Sequence, residues 1–368
     1  MNVLVLSTDY PTPERPVALM YVHVRNKYYS QHGINVTVLN FNANKNYFWE
    51  GIPVITLKTY KRDFVKKKYD LLICHAPNIR NHYRFLKKYE KKFPFIVFFF
   101  HGHEVLYLNK VYPKPFPFQK KSYLKIKFRG IYDNIKLRIW NKYLIKISLK
   151  SHFVFVSKWL YNEFLKWTKI DSNALKGKYS IIYNSVGDAF EKNSYDLNSE
   201  KTYDFITIRN NLDGPKYGVD IVNNLAKNNP HMKFLLIGKG ELFNHIQKAP
   251  NLTWISTNLS HNEMLYYLDQ SKCGLFPTRQ DTQGVMACEV AVYGLPIITS
   301  DIKVCHEVFE GFKNVAFIKN EDISINLKPI LDKLFSGVPY EKNTKFFAKN
   351  CVNKELELFE RILKKDKV

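Results

Sequence analysis

The stretch Phe276-Pro277-Thr278-Arg279-Gln280-Asp281-Thr282-Gln283-Gly284-Val285-Met286-Ala287-Cys288-Glu289-Val290-Ala291-Val292-Tyr293-Gly294-Leu295-Pro296-Ile297-Ile298-Thr299 decides how this chain is read. A short apolar strand ends at Pro277, a polar loop carries Asp281, and Gly284 opens a helix whose first N–H groups lack intrahelical partners. Glu289 falls about a turn and a half into that helix. Gly294-Leu295-Pro296 ends it and starts the next strand. Two carboxylates eight positions apart, one on the loop and one on the helix, can flank a single polar ligand. The same spacing also allows a plainer reading, with Asp281 capping the helix and Glu289 paired with a lysine.

Outward from this stretch the pattern repeats. Apolar runs occur at 3–6, 36–39, 71–74, 94–100, 153–156 and 179–183, and again at 205–208, 233–237, 252–255, 274–276, 296–299 and 315–318. Each is bounded by turn-forming residues and followed by a helix-like segment, as in parallel sheets covered on both faces. Two such series predict two doubly wound α/β domains, with ligands held outside the carboxyl ends of the strands. The polar segment 188–201 reads as a linker, which divides the chain into residues 1–187 and 188–340. Apolar residues at helical spacing from Leu356 onward predict a helix within 341–368 that packs back on the first domain.

The 368 residues include 56 Lys plus Arg against 33 Asp plus Glu. Residues 1–190 hold 33 of the basic and 11 of the acidic side chains, net +22, and the remainder is net +1. Such a one-sided field suits an anionic lipid surface, nucleic acid or a polyanionic substrate, and a lysine-rich surface that only aids solubility is the bland alternative. Five scattered cysteines, Cys74, Cys273, Cys288, Cys305 and Cys351, show no zinc spacing and suit a reducing compartment. The first residues lack the basic segment of a signal peptide, and no apolar run approaches the roughly 20 residues of a membrane-spanning helix.

The order Pro277-Thr278, Asp281, Gly284, Glu289 and Gly294-Leu295-Pro296-Ile297-Ile298 resembles the signature of the retaining, sugar-nucleotide-dependent glycosyltransferases of family 4. Asp281 stands where that family usually has Glu. The resemblance implies a GT-B fold, two Rossmann-like domains facing a cleft, with the second domain binding donor. It implies that Glu289 holds the ribose, that Arg209 and Lys216 neutralise the diphosphate, and that Gly284, Val285 and Met286 offer helix N–H groups. Asp281 would contact the sugar hydroxyls, and His101 would reach the sugar from the first domain. Tyr217-Gly218-Val219-Asp220, Gly238-Lys239-Gly240, Glu307, Ser157 and Asn184 fall on further landmarks of the family. The first loop departs from it: Glu14-Arg15-Pro16-Val17 replaces a glycine pair, so acceptor contacts would come from side chains such as Arg15, with His103 near His101.

His101-x-His103 also invites a metal reading, but a third ligand at defined spacing is missing and the resembling family is metal-independent. No metal and no cofactor are expected beyond a nucleoside-diphosphate sugar as substrate. Residues 110–150 hold 12 basic residues, among them Lys120, Lys121, Lys125 and Lys127, and one acid, Asp133, interleaved with aromatics. This suits an anionic membrane surface more than nucleic acid, although a sheet-covering helix with solvated lysines gives the same composition. The reading is therefore a retaining glycosyltransferase of cell-surface polysaccharide synthesis, acting on a saccharide or lipid-linked saccharide. It would be cytoplasmic and peripheral to the inner face of the membrane. A noncatalytic basic protein on the same fold, binding nucleic acid or membrane, is the alternative.

Overall fold

The computed structural model describes residues 1–15, 18–119 and 123–364. Pro16, Val17, Lys120, Lys121 and the end of the expected 341–368 helix lie outside the described residues. Two compact units emerge: Met1–Leu108, Gly130–Ser185 and Phe347–Val368 form the first, Asn109–Arg129 and Val186–Phe346 the second.

The first unit carries strands β1 (Asn2–Ser7), β2 (Asn35–Asn40), β3 (Tyr47–Trp49), β4 (Ile52–Ile55), β5 (Leu71–His75), β6 (Phe95–Phe100), β7 (Ser151–Phe155) and β8 (Tyr179–Ile181). Their order is β3-β4-β2-β1-β5-β6-β7-β8. All pairs are parallel except β3 with β4. Its helices include α1 (Met20–Gln31), α2 (Leu57–Thr59) and α3 (His82–Tyr89), then α4 (Leu108–Val111), α5 (Tyr123–Ile147) and α6 (Lys158–Thr168), of which α4 and α5 continue across the division. Strands such as Phe95-Ile96-Val97-Phe98-Phe99-Phe100 are buried along nearly their whole length because helices cover both sheet faces.

The second unit holds α7 (Asp188–Lys192), β9 (Tyr203–Asn211), α8 (Val219–Asn228), β10 (Phe234–Lys239), β11 (Leu252–Ile255), α9 (His261–Asp269), β12 (Ser271–Phe276), α10 (Val285–Tyr293), β13 (Ile297–Ser300), α11 (Lys303–Val308), β14 (Val315–Ile318) and α12 (Lys328–Phe335). Its sheet is parallel in the order β11-β10-β9-β12-β13-β14. The chain leaves β9 first towards β10 and later returns to β12 on the other side. The strand order therefore reverses between β9 and β12, as it does between β1 and β5 in the first sheet.

All twelve apolar runs lie on strands. The hairpin β3–β4 is additional, turned at Glu50 and Gly51, which both take positive φ. The expected linker 188–201 instead begins as α7, whose Phe190 is fully buried beside Tyr293 and His261. Residues 109–129, read as part of a first domain 1–187, belong to the second unit: Phe118 stacks on His245 and the Gln119 amide donates to the Asp213 carbonyl. The last helix, α13 (Ala348–Lys364), buries Cys351, Val352, Leu358 and Phe359 in the core of the first unit. All five cysteines are buried. Among the described residues no helix is long and apolar enough to cross a membrane.

Candidate functional site

Helix α10 is apolar on every side except at Glu289, and that composition buries it from Ala287 to Tyr293. Gly284, at φ 75°, ψ 57°, is its N-cap, and no side chain caps it. The left-handed geometry suits glycine, and the N–H groups of Val285 and Met286 open the helix towards the loop. Asp281 is thus not the helix cap. Its Oδ1 accepts the Thr282 N–H at 2.7 Å and shapes the loop before the helix.

Glu289 is 5% exposed and, among the described residues, pairs with no lysine. Its Oε1 accepts the Gly187 N–H at 3.2 Å and lies 3.6 Å from His261 Nε2. Burial raises its proton affinity, opposed by His261 and the Gly187 N–H.

Arg209 lies near the end of β9 and is 7% exposed. Its Nη2 donates to the Pro277 carbonyl at 3.1 Å, while its Nε is buried without a hydrogen-bond partner among the described residues. Burial lowers its proton affinity and the nearby Asp281 carboxylate opposes this. The ring of Tyr217 neighbours both expected cations, with Arg209 Cζ 5.5 Å and Lys216 Nζ 4.6 Å from its centroid. Lys216 is also 5.1 Å from the ring of Tyr112.

The two loops are laced together. The Lys216 carbonyl accepts the Arg279 N–H and the Thr278 hydroxyl, both at 2.8 Å. Arg279 grips Asp220 through two bonds of 2.8 and 2.6 Å. Gly238 takes φ 151°, and a Cβ there would fall 1.9 Å from the Arg209 carbonyl oxygen. The close approach of β10 to Arg209 explains the glycine of the Gly238-Lys239-Gly240 motif. The second unit therefore gathers Arg209, Lys216, Asp281 and the start of α10 at the β9/β12 reversal, with Glu289 deeper on the helix. Glu307 lies on α11 and is partly exposed.

In the first unit His101 follows β6, and its Nε2 is 3.3 Å from Nδ1 of His75 at the end of β5. Burial drives the proton affinity of His101 well below the usual imidazole value; the Arg25 charge adds to this and a hydrogen bond with Asn184 opposes it. His75 is lowered in the same way, by burial and then by His101, Arg25 and His82. The Glu104 carboxylate receives the N–H groups of His101 and Gly102 at 3.0 and 2.5 Å. Lys136 donates to the carbonyls of His103 and Leu106 and to Asp133, each at 2.7 to 2.8 Å, and Asp133 accepts the Leu108 N–H. The one acid of the basic segment is thus buried, and it holds the loop after His101.

The His103 side chain is exposed. Arg15, 64% exposed, is paired with Asp9 at 2.6 Å. Ser157 caps α6 through the Leu160 N–H at 3.1 Å. Among the described residues no group of three or more His, Cys, Asp or Glu side chains is placed to hold a metal ion. Sequence reading missed Arg25, His75 and His261, whose partners are far away in sequence. It also passed over Arg279, although that residue stands inside the quoted stretch.

Residues 205–332 match the sequence model described as glycosyl transferases group 1. A search of curated proteins finds no sequence match. Among solved structures, the chain is similar to sucrose-phosphate synthase from Thermosynechococcus elongatus, with TM-score 0.69, 12% identity and 98% of each chain covered. A glycosyltransferase from Rickettsia africae aligns with TM-score 0.67 and 15% identity over 99% of this chain and 98% of that one. Anabaena HepE, solved in complex with UDP and glucose, aligns with TM-score 0.64 and 12% identity over 98% of this chain and 100% of that one. The fold is GT-B, with two α/β units each built on a largely parallel sheet.

Proposed function

We propose that this protein transfers a sugar from a nucleoside-diphosphate sugar to a saccharide or lipid-linked saccharide of the cell surface, with retention of anomeric configuration. The carrying observation is Arg209. A buried guanidinium with a partnerless N–H costs stability unless something repays it, and an anion does so. Lys216 beside the Tyr217 ring and the uncapped start of α10 add positive potential. A diphosphate held there has its leaving charge neutralised by the chain's own groups. The family match over 205–332 spans all of these residues.

In this reading Glu289 accepts hydrogen bonds from the ribose hydroxyls, and Asp281 contacts the sugar. Val285 and Met286 present N–H groups to the phosphates or the sugar. No side chain of the 276–299 motif offers an evident nucleophile. A front-face reaction fits better, in which the leaving phosphate oxygen takes the acceptor's proton as the new glycosidic bond forms. His101, held neutral, serves as a hydrogen-bonding group and not as an acid. Transfer proceeds without a metal.

The test is release of nucleoside diphosphate from a panel of sugar nucleotides, with and without EDTA, followed by NMR of the product's anomeric proton. The expected result is release from one donor, unaffected by chelation, with the donor's anomeric configuration kept. Absence of release and of nucleotide binding across the panel would leave the noncatalytic alternative. Loss on chelation with rescue by a divalent ion would overturn metal independence.

A further inference from the structure

The part of α5 in the first unit, Gly130–Ile147, has two faces of different character. Leu137, Trp140, Leu144 and Ile147 are buried in the unit, together with the Asp133–Lys136 pair. On the opposite side Ile131, Ile135, Arg138, Lys142 and Ile145 recur at intervals of four, three, four and three residues, so they form one stripe, and Leu149 follows in the short 3-10 turn Ser148–Lys150 after the helix. That stripe is open: Ile131 is 47% exposed, Ile135 49%, Ile145 42% and Leu149 90%. Among the described residues the ion pairs of α5 are Lys136 with Asp133 and Lys146 with Glu90, which leaves Arg138 and Lys142 facing solvent.

Beside the stripe a groove of about 410 Å³ runs between α3 and α5, with Lys87, Arg138, Lys142 and Lys146 around it. Its one acid, Glu90, is already engaged by the Tyr143 hydroxyl and Lys146. Four aliphatic side chains held in water cost free energy that burial would recover, and the cations between them select what does the burying. A second copy of the same face would set Arg138 and Lys142 against their own kind. Nucleic acid would need flat rings to stack on, and the stripe itself is aliphatic, with Tyr132 at its edge 43% exposed. An anionic bilayer meets both demands, apolar depth beneath a negative surface.

We propose that the outer face of α5 docks on an anionic lipid bilayer. Ile131, Ile135, Ile145 and Leu149 enter the boundary between headgroups and acyl chains, while Arg138 and Lys142 meet lipid phosphates. The basic excess of residues 1–190 supplies the long-range attraction. The proposal does not depend on the reaction assigned above.

The experiment is co-sedimentation of the full chain with phosphatidylglycerol-containing and with pure phosphatidylcholine vesicles. The variants are R138E/K142E and I135S/L149S, all of exposed side chains, with folding checked by thermal melting. The intact protein is expected to bind the anionic vesicles at least tenfold more tightly than the neutral ones. R138E/K142E is expected to lose about tenfold or more of that binding. I135S/L149S should bind more weakly, with the remainder released by salt. Nucleotide release from a donor in vesicle-free solution should be unchanged in both. Binding indifferent to lipid charge, or both variants sedimenting like the intact chain, would overturn the proposal. Tighter binding of a single-stranded oligonucleotide, or a solution dimer abolished by I135S/L149S, would reassign the face to nucleic acid or to a second copy.

Discussion

The Arg209 guanidinium donates to the Pro277 carbonyl at 3.1 Å and so joins the end of β9 to the residue after β12, where the strand order reverses. One hydrogen bond thus fixes a cation at the position where doubly wound sheets hold their ligands. Arg209→Lys keeps the charge but loses the planar fork, so it should bind nucleoside diphosphate more weakly. A charge-assisted hydrogen bond is worth about 1.5–3 kcal/mol, which corresponds to a loss of roughly tenfold to a hundredfold. Calorimetric titration with nucleoside diphosphates measures it. Equal affinity in intact and substituted protein would remove Arg209 from the phosphate site.

Glu289 and Asp281 separate by the same logic. Glu289→Gln keeps the shape and removes the charge, and should weaken nucleotide binding by roughly tenfold or more. Asp281 shapes its loop through the Thr282 N–H, so Asp281→Asn retains the turn better than Asp281→Ala does. If Asp281 contacts the sugar, Asp281→Asn should lower turnover while leaving the affinity for the free nucleoside diphosphate intact. A drop in both, or in neither, would make its role purely structural.

How far the sequence carries can be seen residue by residue. The strands were legible because a strand buried on both faces is a short, continuous apolar run, and Phe95 to Phe100 is such a run. The hairpin β3–β4 was not, because its strands have three and four residues and Pro53 argues against a strand. The allegiance of residues 109–129 rests on contacts such as Phe118 with His245, and nothing local announces them. In the site, Asp281 and Glu289 follow from spacing along one loop and helix. The partners of Glu289, Gly187 and His261, come from other elements, and no periodicity points to them.

Three histidines of the first unit, His75, His82 and the half-buried His101, act to lower its stability as pH falls. His75 and His101 are held well below the usual imidazole value, and burial takes His82 down to about 4 despite its bond to the Leu6 carbonyl. Below about pH 6.5 the unfolded chain takes up protons that the folded chain refuses, so stability falls as pH falls, by up to about 1.4 kcal/mol per pH unit for each site. The raised carboxyls Glu104, Glu289 and Glu355 act in the opposite sense between about 4.5 and their folded values. Urea denaturation at intervals from pH 7 to 5 should show declining stability, with a shallower slope in His82→Gln. Stability that is flat or rising on the way down from pH 7 to 5.5 would contradict it.

The last prediction concerns the pair that ties the chain's final helix to its first. Arg25 of α1 and Glu355 of α13 are both fully buried, with Nε to Oε1 at 2.8 Å, and the Tyr29 hydroxyl donates to the other carboxylate oxygen. Arg25 Nη1 also donates to the Asn184 side chain and the Tyr21 carbonyl, at 2.8 and 2.9 Å. Burial pushes the Glu355 proton affinity up against the pull of Arg25. Truncating one partner strands the other charge in the core, so Glu355→Ala should cost about 3–5 kcal/mol. The paired change R25M/E355L removes both charges and should recover much of that loss. It also deletes the Arg25 charge that helps hold His101 neutral, so the His101 titration, followed by imidazole NMR, should move to higher pH. A double variant no more stable than Glu355→Ala would show that the bonds to Asn184 and Tyr21, and not charge balance, make Arg25 necessary. An unmoved His101 titration would mean that burial alone keeps that ring neutral.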